Sequence, residues 1–588
     1  MFKSLKKDLK SAHMTMSADT YMLQTAVSAA SSAVLFFILI TLLNYTKIQI
    51  PPFSAVPTPI MYIFFVGIIP VGVFLFLYFY PKLTASGRKS KIDNDLPYAI
   101  TYMQALSSTI TLYEIFKSVY EAEDLYGEVS KECGLIVRDV ELLGQDLITA
   151  IENAKDVTPS EKFRELLNDL LLVHRSGGDL TVFFSAKSQS YRELSKNEME
   201  SLLEFLEMIA EVYVTAFVAG PIAMIIMVVA QNISGHVTVG GLMPLMYIGL
   251  PLGAITLILI LYILLPPNNL TISRKEVKET EFSPEIIKKS ESAEDEKFEK
   301  KIRYRKKILK IKEILRHPIK FYISNYFTAV MFGAVLSIIV LILMLTGTFA
   351  EIFPKFTIEI FVCVMTIAAI FPLSIAYEIR NRYTANIEKQ MPEFLMEISD
   401  MRDIGMTLQS SIALIAEHKT GVLSSEIKVV SEELKYGSSI SGALVRMEER
   451  IGLTTVKRAI SLLVRASEVT DYIREILGIA VADLEHYLKM KSKRFNVSFV
   501  YLAIIYLSFG IYLFTAYELN VSFIASFTDF NLSINSAGNV EMMFIIGIIL
   551  AFFSGIMAGQ LSANTILSGL KHSIIMLIMT IATFVYVI

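Results

Sequence analysis

Long apolar runs alternate with charged segments along the chain. Scanning for about 20 consecutive residues without a central charge predicts nine membrane-spanning helices, near 26–45, 60–80, 212–231, 243–265, 327–349, 357–377, 496–516, 541–561 and 572–588. No predicted span carries an ionisable residue near its middle. Such residues are costly in a bilayer and usually functional, so their absence from the span centres argues against an ion-coupled carrier.

The positive charges fall on one side of the predicted membrane. With a cytoplasmic N-terminus, 52 of the 54 Lys and Arg residues lie inside, and only Lys47 and Lys355 lie outside. The positive-inside rule therefore predicts a multi-pass protein of the cytoplasmic membrane with its C-terminus outside. The first apolar run follows four lysines but lacks a small-residue cleavage site, so we interpret it as a retained anchor.

The order of segments repeats along the chain. Two spans, a polar block and two spans are followed, after a charged linker, by the same order and one final span. This order predicts an all-α polytopic membrane protein with two homologous cytoplasmic helical bundles in a tandem parallel repeat. The predicted segments are the N-terminal segment with spans 1 and 2 (1–80), the first helical domain (81–210), spans 3 and 4 (211–265), the linker (266–326), spans 5 and 6 (327–377), the second helical domain (378–495) and spans 7 to 9 (496–588).

The two polar blocks also correspond in sequence, weakly but in the same order. The matching pairs are Leu96-Pro97 with Met391-Pro392, Leu143-Gly144 with Tyr436-Gly437, and His174-Arg175-Ser176 with Val464-Arg465-Ala466. Three matches in register carry more weight than any one of them. We therefore interpret the blocks as two copies of one domain.

Helical spacing runs through both blocks. One apolar stripe, predicted to be core, contains Phe163, Leu166, Leu167, Leu170 and Leu171. Before it, Thr158-Pro159-Ser160-Glu161 predicts a capping box with Pro at the first helical position. Glycines predicted at helix ends are Gly144, Gly177, Gly178, Gly437 and Gly442. Charged, helix-compatible stretches at 192–211 and 483–494 predict helices that continue from each block into the next span.

The sequence offers no catalytic centre. It contains no G-x-x-x-x-G-K-[ST], H-E-x-x-H or G-x-S-x-G pattern, and Gly87-Arg88-Lys89-Ser90 resembles the first of these only superficially. The two cysteines, Cys133 and Cys363, have no metal-ligand or redox spacing. We predict a protein that is not an enzyme, holds no cofactor or metal and binds no nucleic acid.

Positive charge marks the candidate partner surface. The linker 266–326 contains 16 basic and 10 acidic residues, and eight cations lie between Lys300 and Lys312. This run predicts either a basic amphipathic helix on anionic lipid or a docking site for an acidic cytoplasmic protein. A simple positive-inside flank is the third alternative. The candidate partner-binding residues are Arg88, Lys89, Lys91, Arg303, Arg305, Lys306, Lys307, Lys310 and Lys312.

The two blocks differ in charge. Residues 81–210 contain 14 cations and 22 anions, whereas residues 378–495 contain 17 of each. Two similar domains with different charge would present different faces to one partner. Such a pair would suit a twofold platform docked on an oligomer of another symmetry.

Several stretches resemble a known family. Residues 96–100 and 391–395 at the block starts, Gly144 and Gly437 within them, and Arg-Ser-Gly-Gly-Asp-Leu at 175–180 resemble the type II secretion system F-domain family. The nine-span layout, the charged linker and residues 92–99 and 102–108 are most similar to its archaeal branch, in particular the archaellum assembly protein J type. In the second block Ser467-Glu468-Val469 replaces the Gly-Gly-Asp stretch.

The resemblance implies a non-catalytic membrane platform of an archaellum or type IV pilus-like machine. It would bind a hexameric cytoplasmic secretion ATPase and couple its cycle to the insertion of archaellin or pilin-like subunits into a filament. The alternatives are the platform of an adhesive archaeal pilus or of type II secretion, and a transporter with cytoplasmic regulatory domains. Whether the protein forms a homodimer stays open.

Overall fold

A computed structural model describes residues 2–46, 62–233, 245–265, 298, 301–302, 304–305, 326–346, 358–418, 421–469, 473–523 and 536–587. These residues form helices joined by short turns, and no strand occurs among them. The prediction of an all-α protein is therefore confirmed.

Nine helices among the described residues are long and apolar enough to cross a membrane. They are Ala18–Leu42, Ile63–Ser107, Leu180–Gln231, Leu245–Leu264, Tyr326–Leu345, Ile358–Asp403, Arg474–Phe523, Gly538–Ala563 and Ile566–Val587. Each overlaps one of the nine predicted apolar runs, so the predicted number of candidate spans is confirmed. Two helices, Leu180–Gln231 and Arg474–Phe523, also confirm that the charged end of each polar block continues without a break into the next span.

The α-helices are numbered here in chain order. They are α1 Phe2–Ser11, α2 Ala18–Thr46, α3 Ile69–Ser107, α4 Leu112–Glu121, α5 Glu123–Glu141, α6 Leu147–Val157, α7 Glu161–Ser176, α8 Leu180–Val214, α9 Gly220–Ile233, α10 Leu250–Leu264, α11 Ala329–Leu345, α12 Ile358–Asp403, α13 Leu408–His418, α14 Val422–Lys435, α15 Ile440–Ile451, α16 Thr454–Val469, α17 Arg474–Tyr517, α18 Ser536–Ala563 and α19 Ile566–Ala582. Short π-helical segments adjoin several spans, at Ile63–Ile68, Thr215–Ala219, Leu245–Gly249, Glu518–Phe523 and Thr583–Val587.

The order of helices repeats as predicted. A long helix that holds an internal proline, α3 with Pro97 and α12 with Pro392, leaves a span and is followed by four shorter helices and a second long helix. In the first copy the shorter helices are α4 to α7, and in the second they are α13 to α16. By contact the chain divides into two compact units, Met1–Ser195 with Arg465–Asp483, and Lys196–Val464 with Leu484–Ile588.

The apolar stripe of α7 forms part of the core of the first unit. Its five predicted core residues, Phe163, Leu166, Leu167, Leu170 and Leu171, are all buried. The predicted helix start is wrong by two residues, because Ser160 is the N-cap and its hydroxyl accepts a hydrogen bond from the Phe163 N–H at 3.1 Å. Pro159 therefore precedes the helix and does not occupy its first turn.

Most of the predicted helix-ending glycines do end helices. Gly144, Gly177 and Gly437 have φ values of 64°, 72° and 89°, a left-handed conformation that glycine adopts without strain. The Gly178 N–H donates to the Val173 carbonyl at 2.9 Å and completes the end of α7. Gly442 was wrongly predicted as a helix end. It lies in the first turn of α15, where its N–H donates to the Ser439 hydroxyl at 3.1 Å.

In the second unit the last two spans form a tight hairpin. A Cβ atom added at Gly559 in α18 would lie 2.0 Å from the backbone nitrogen of Gly569 in α19, and one at Gly555 would lie 2.1 Å from that of Ser573. Small residues spaced by four allow such close packing of helices in a bilayer. Asn564 directly follows α18 and, with a φ of 53°, begins the turn that leads to α19.

The corresponding long helices of the two copies contact each other in the second unit. Lys493 of α17 forms an ion pair with Glu200 of α8, and the Tyr501 hydroxyl donates to the Leu203 carbonyl at 3.3 Å. Farther along α8, the Tyr213 hydroxyl is hydrogen-bonded to the Ser554 hydroxyl at 2.7 Å. All of these contacts lie within the second unit.

Candidate docking surfaces

Corresponding helices of the two copies begin with side-chain caps of the same kind. In the first copy Thr111 caps α4 through a capping box with Glu114, and Asp146 caps α6. In the second copy the Thr407 hydroxyl accepts from the Ser410 N–H at 3.2 Å, and Ser439 caps α15. We call residues 108–111 with 142–146 the first tip. The second tip is the corresponding pair, residues 404–407 with 436–439.

Each tip lies at the end of a long helix that continues from a candidate span. Helix α3 leaves its apolar run near Tyr80 and ends at Ser107. At about 1.5 Å per residue this stretch is about 40 Å long. Helix α12 covers nearly the same distance between Tyr377 and Asp403. Each tip therefore lies about 40 Å along its own helix from the end of the apolar run.

Large apolar side chains are exposed at both tips. Leu142 and Leu143 are 77% and 59% exposed in the first tip, and Ile404 and Tyr436 are 77% and 91% exposed in the second. Single exposed apolar residues are ordinary on protein surfaces. The corresponding positions Leu143 and Tyr436, each just before a left-handed glycine, are exposed in both copies. This recurrence favours docking surfaces at the tips.

Hydrogen bonds to a carboxylate hold two helices together at the first tip. Glu141 accepts hydrogen bonds from the Tyr113 hydroxyl at 2.5 Å and from Lys117 Nζ at 2.9 Å, joining the end of α5 to α4. The hydrogen bond from Tyr113, then the one from Lys117, lowers the pKa of the Glu141 carboxyl. Capping of α6 likewise lowers the pKa of Asp146 through hydrogen bonds from Thr149. Both groups are therefore anions at neutral pH, and the first tip combines apolar side chains with negative charge.

The cations predicted to bind a partner lie in different environments. Arg88 is buried, whereas Lys89 and Lys91 of the same helix are exposed. Arg305 is exposed and lies in a short described stretch of the linker. The predicted residues outside the described part of the chain are Arg303, Lys306, Lys307, Lys310 and Lys312. A partner role for the exposed lysines and for the linker stays a prediction.

Arg88 is the centre of a buried polar cluster in the first unit. Its Nε donates to Glu128 Oε2 at 2.7 Å and its Nη2 to Glu132 Oε1 at 2.6 Å, while Nη1 donates to the Ser11 carbonyl at the end of α1. Burial alone would raise the pKa of Glu128, but hydrogen bonds from Arg88 and Lys131 outweigh it, and the pKa is lowered. The cluster ties α1 and α5 to α3, which is a structural task for Arg88.

A second network stabilises the other copy. Arg450 of α15 pairs with Glu426 at 3.0 Å and with Glu433 at 2.9 Å, both on α14, and Arg446 pairs with Glu433 at 2.8 Å. In the first unit Arg465, at the end of α16, donates to the Ser118 hydroxyl of α4 at 3.0 Å. This last hydrogen bond joins a residue of the second copy to the first copy.

The described residues contain no group of three His, Cys, Asp or Glu side chains placed to hold a metal ion. Both cysteines are free and buried. Burial raises the pKa of the Cys133 thiol, so it is protonated and a poor nucleophile at neutral pH. Among the described residues we therefore identify neither a candidate metal site nor an accessible thiol.

A duplicated helical domain carried on nine candidate spans defines an all-α, multi-pass membrane protein. The family model described as type II secretion system (T2SS), protein F matches it twice, at residues 102–228 and 394–519. The two matched stretches are similar to this family and together cover less than half of the chain. Proteins of this family are generally non-catalytic membrane platforms that associate with secretion ATPases.

Two relatives come from Methanocaldococcus jannaschii. The uncharacterized protein MJ1286 is 26% identical over 510 residues, covering 85% of this chain and 80% of the relative. The uncharacterized protein MJ0780 is 30% identical over 113 residues, covering 19% of this chain and 33% of the relative. No solved structure matches the chain.

The exposed apolar residues at the tips were missed by the sequence reasoning, although a signal for them was present. Leu143-Gly144 and Tyr436-Gly437 were recognised as a matching pair of helix ends. An apolar residue before a helix-ending glycine is normally packed against the helix end. The sequence alone does not show that both side chains are exposed instead.

Proposed function

We propose that this protein is the membrane platform of an archaellum or type IV pilus-like assembly machine. In this role both helical domains lie in the cytoplasm and dock a hexameric secretion ATPase. Movements of the ATPase are passed to the spans, where archaellin or pilin-like subunits enter the filament. The observation that carries the proposal is the second match to the F-domain model, at residues 394–519, whose tip repeats the exposed apolar position of the first.

Continuous helices support the mechanical part of this proposal. Helix α12 runs from Ile358 in the membrane to Asp403 beside the second tip, within one unit. Beyond the end of its apolar run near Tyr377 it stays helical to Asp403, although Pro392 leaves one backbone hydrogen bond unmade on the way. A force on the tip would therefore tilt or shift the span rather than bend a linker.

Binding of the purified ATPase to the full-length protein in lipid nanodiscs tests the docking surfaces. We expect Leu143→Glu and Tyr436→Glu each to weaken binding at least tenfold, which corresponds to about 1.4 kcal/mol. Matched controls are Leu194→Glu on α8 and Val429→Glu on α14, both exposed apolar residues away from the tips. Equal effects of tip and control substitutions would contradict docking at the tips.

The basic linker provides a second test of the same proposal. If it contacts an acidic partner, reversing Arg305, Lys306 and Lys307 to Glu weakens ATPase binding and reduces its dependence on salt. Salt-insensitive binding that the reversal leaves unchanged would remove the linker from the interface. Docking at the tips would not be affected by that outcome.

The filament subunit distinguishes the related platforms. An archaellum platform is expected to co-purify with archaellin-like subunits, and an adhesive pilus or secretion platform with its own pilin-like subunits. A transporter would instead move a solute across liposomes without any ATPase. Substrate-dependent flux by the purified chain alone would contradict the platform proposal.

A further inference from the structure

A cavity of about 430 Å³ lies in the first unit, beside the base of its helical domain. It is enclosed by the turn between α1 and α2, the first turns of α2 and the end of the apolar run of α3. Its size is within the range of small-ligand sites. The lining residues are His13, Met14, Thr15, Met16, Tyr21, Gln24, Thr25, Ser28, Leu77 and Tyr80.

The predicted start of the first span puts the cavity at the level of the lipid headgroups. The apolar run of α2 begins at residue 26, and about 20 residues of it cross the hydrocarbon. The earlier residues of α2 therefore lie in the headgroup layer, where Tyr21 and Tyr80 are typical interfacial side chains. The Tyr21 hydroxyl donates to the Leu77 carbonyl at 2.8 Å and holds the two helices together there.

The lining is rich in hydrogen-bond donors and has no carboxylate. Hydroxyl, amide and imidazole groups come from seven of its ten residues, and the other three are apolar. Two of the hydroxyls, those of Tyr21 and Thr25, donate to backbone carbonyls, so the side chains left to face a ligand include Thr15, Gln24, Ser28 and Tyr80. Such a lining suits an oxygen-rich anionic group joined to an apolar body. A phospholipid has both parts, a phosphate headgroup and the glycerol end of its acyl chains.

Nearby cations add an electrostatic reason. Helix α1 buries Leu5 and Leu9 against the protein and exposes Lys6, Lys7 and Lys10. Another lysine, Lys82, is exposed just beyond Tyr80. The acidic residues of the same segment are Asp8, half-buried on α1, and Asp19, exposed at the start of α2. The cations outnumber them, so this edge attracts anionic lipid.

His13, two residues after the end of α1, contributes an imidazole to the lining of the cavity. His13 has a φ of 55°, in the left-handed region where glycine is usual after a helix. Its N–H donates to the Lys10 carbonyl at 3.0 Å, and the next N–H, of Met14, donates to the Leu9 carbonyl at 3.0 Å. Glycine would fit this backbone without strain. The His13 side chain instead joins the Arg88 cluster, because its Nε2 lies 3.4 Å from Glu132 Oε1, and the imidazole also lines the cavity.

We propose that this cavity binds the phosphate headgroup of an anionic phospholipid from the adjoining leaflet. The donors of the lining hold the phosphate oxygens, and the lysines of α1 raise the local concentration of anionic lipid. Since Arg88 binds the Ser11 carbonyl at the end of α1, the bound lipid would also fix the base of the first helical domain at the membrane. The proposal does not depend on which filament or partner the protein serves.

The absence of tryptophan from the chain allows a direct test. A Tyr80→Trp substitution in the full-length protein places one fluorophore at the cavity. The protein is reconstituted in phosphatidylcholine, and quenching by brominated phosphatidylglycerol is compared with quenching by brominated phosphatidylcholine. Phe64→Trp, exposed near the other end of the same span, is the matched control.

We expect the fluorophore at position 80 to be quenched at least fivefold more effectively by the anionic lipid, with no such preference at position 64. Changing Lys6, Lys7 and Lys10 to Gln together should abolish most of this preference, since about 1 kcal/mol per cation near the surface corresponds to a factor of about five. In the same background Gln24→Glu, which adds a carboxylate to the lining, also lowers it, whereas Lys89→Gln farther along α3 leaves it unchanged.

Either of two quenching results would overturn the proposal. One is equal quenching by the two lipids at position 80. The other is an anionic preference that Gln24→Glu leaves intact, because the lipid would then be attracted to the surface without entering the cavity. Soluble glycerol phosphate is added as a competitor. Its failure to displace the brominated lipid supports a lipid site, and displacement at millimolar concentration would indicate a site for free phosphate instead.

Discussion

Replacing Arg88 by methionine removes the cation that neutralises two glutamates beneath α1. Glu132 is fully buried, and its Oε1 lies 2.6 Å from Arg88 Nη2, while Glu128 Oε2 lies 2.7 Å from Nε. Methionine preserves most of the side-chain volume but offers no donor. Removing one partner of a buried ion pair typically costs about 3–5 kcal/mol, because the other charge stays buried.

The expected effect is local opening of the first unit. The backbone amides of α1 depend on this cluster, because the Ser11 carbonyl accepts from the same guanidinium. A loss of about 3 kcal/mol raises the population of the open form at least about 100-fold. Hydrogen exchange of the full-length protein in nanodiscs should therefore be faster by this factor in α1 and in α5 around Glu128.

Two further variants make the measurement decisive. Lys89→Met, on the next residue but exposed, should change exchange by less than about threefold, since surface substitutions stay within about 0.5 kcal/mol. Adding Glu132→Gln to Arg88→Met should restore part of the protection, because it removes the unpaired buried charge. Equal exchange in Arg88→Met and Lys89→Met would refute a stabilising role for the cluster.

Three other predictions follow from described contacts. Gly559→Leu should destabilise the hairpin of α18 and α19 by about 3 kcal/mol or more, because its Cβ would meet backbone; Gly510→Leu, with open space around it, is the control in thermal unfolding. The folded pKa of Glu128 is lowered, so its stabilising contribution is present above the unfolded pKa and is lost as the pH falls from about 4.5 through the folded pKa. Hydrogen-exchange rates around α1 that do not change across this pH range would contradict the prediction. A double-mutant cycle of Arg465→Ala with Ser118→Ala should give a coupling of about 1 kcal/mol, and zero coupling would exclude that hydrogen bond.

The spans and the helical repeat could be predicted from the sequence because their signals are local. An apolar run of about 20 residues is sufficient to identify a span, and the i, i+3, i+4 stripe at Phe163, Leu166 and Leu167 faces the core wherever α7 packs. The two tip glycines were also identifiable, since left-handed helix ends favour glycine at any location.

The role of Arg88 could not be predicted, because its partners lie 40 and 44 residues away in sequence. Next to Lys89 and Lys91 it has the composition of a positive flank at the end of a span. Only the packing of α5 against α3 shows that one of the three cations points inward. The sequence does show Glu128 and Glu132 four residues apart, a spacing that puts both on one face of α5. It does not show which cation they pair with.

Two further features had local signals that the sequence reasoning did not use. Thr111 and Glu114 stand before an apolar run at the spacing of a capping box, and the structure has that box at α4. Gly555 and Gly559 have the spacing of tightly packed membrane helices. The predicted box at Thr158 was wrong because Ser160 offers its hydroxyl two residues later and caps the helix instead.

Site-specific labelling of both tips tests the central claim most directly, namely that two copies of one helical domain face the same side of the membrane. Leu143→Cys and Tyr436→Cys are introduced separately, since both positions are exposed and the native cysteines are buried. A membrane-impermeant maleimide should label both variants in inside-out vesicles and neither in intact spheroplasts. Labelling of the two positions from opposite sides would contradict the account.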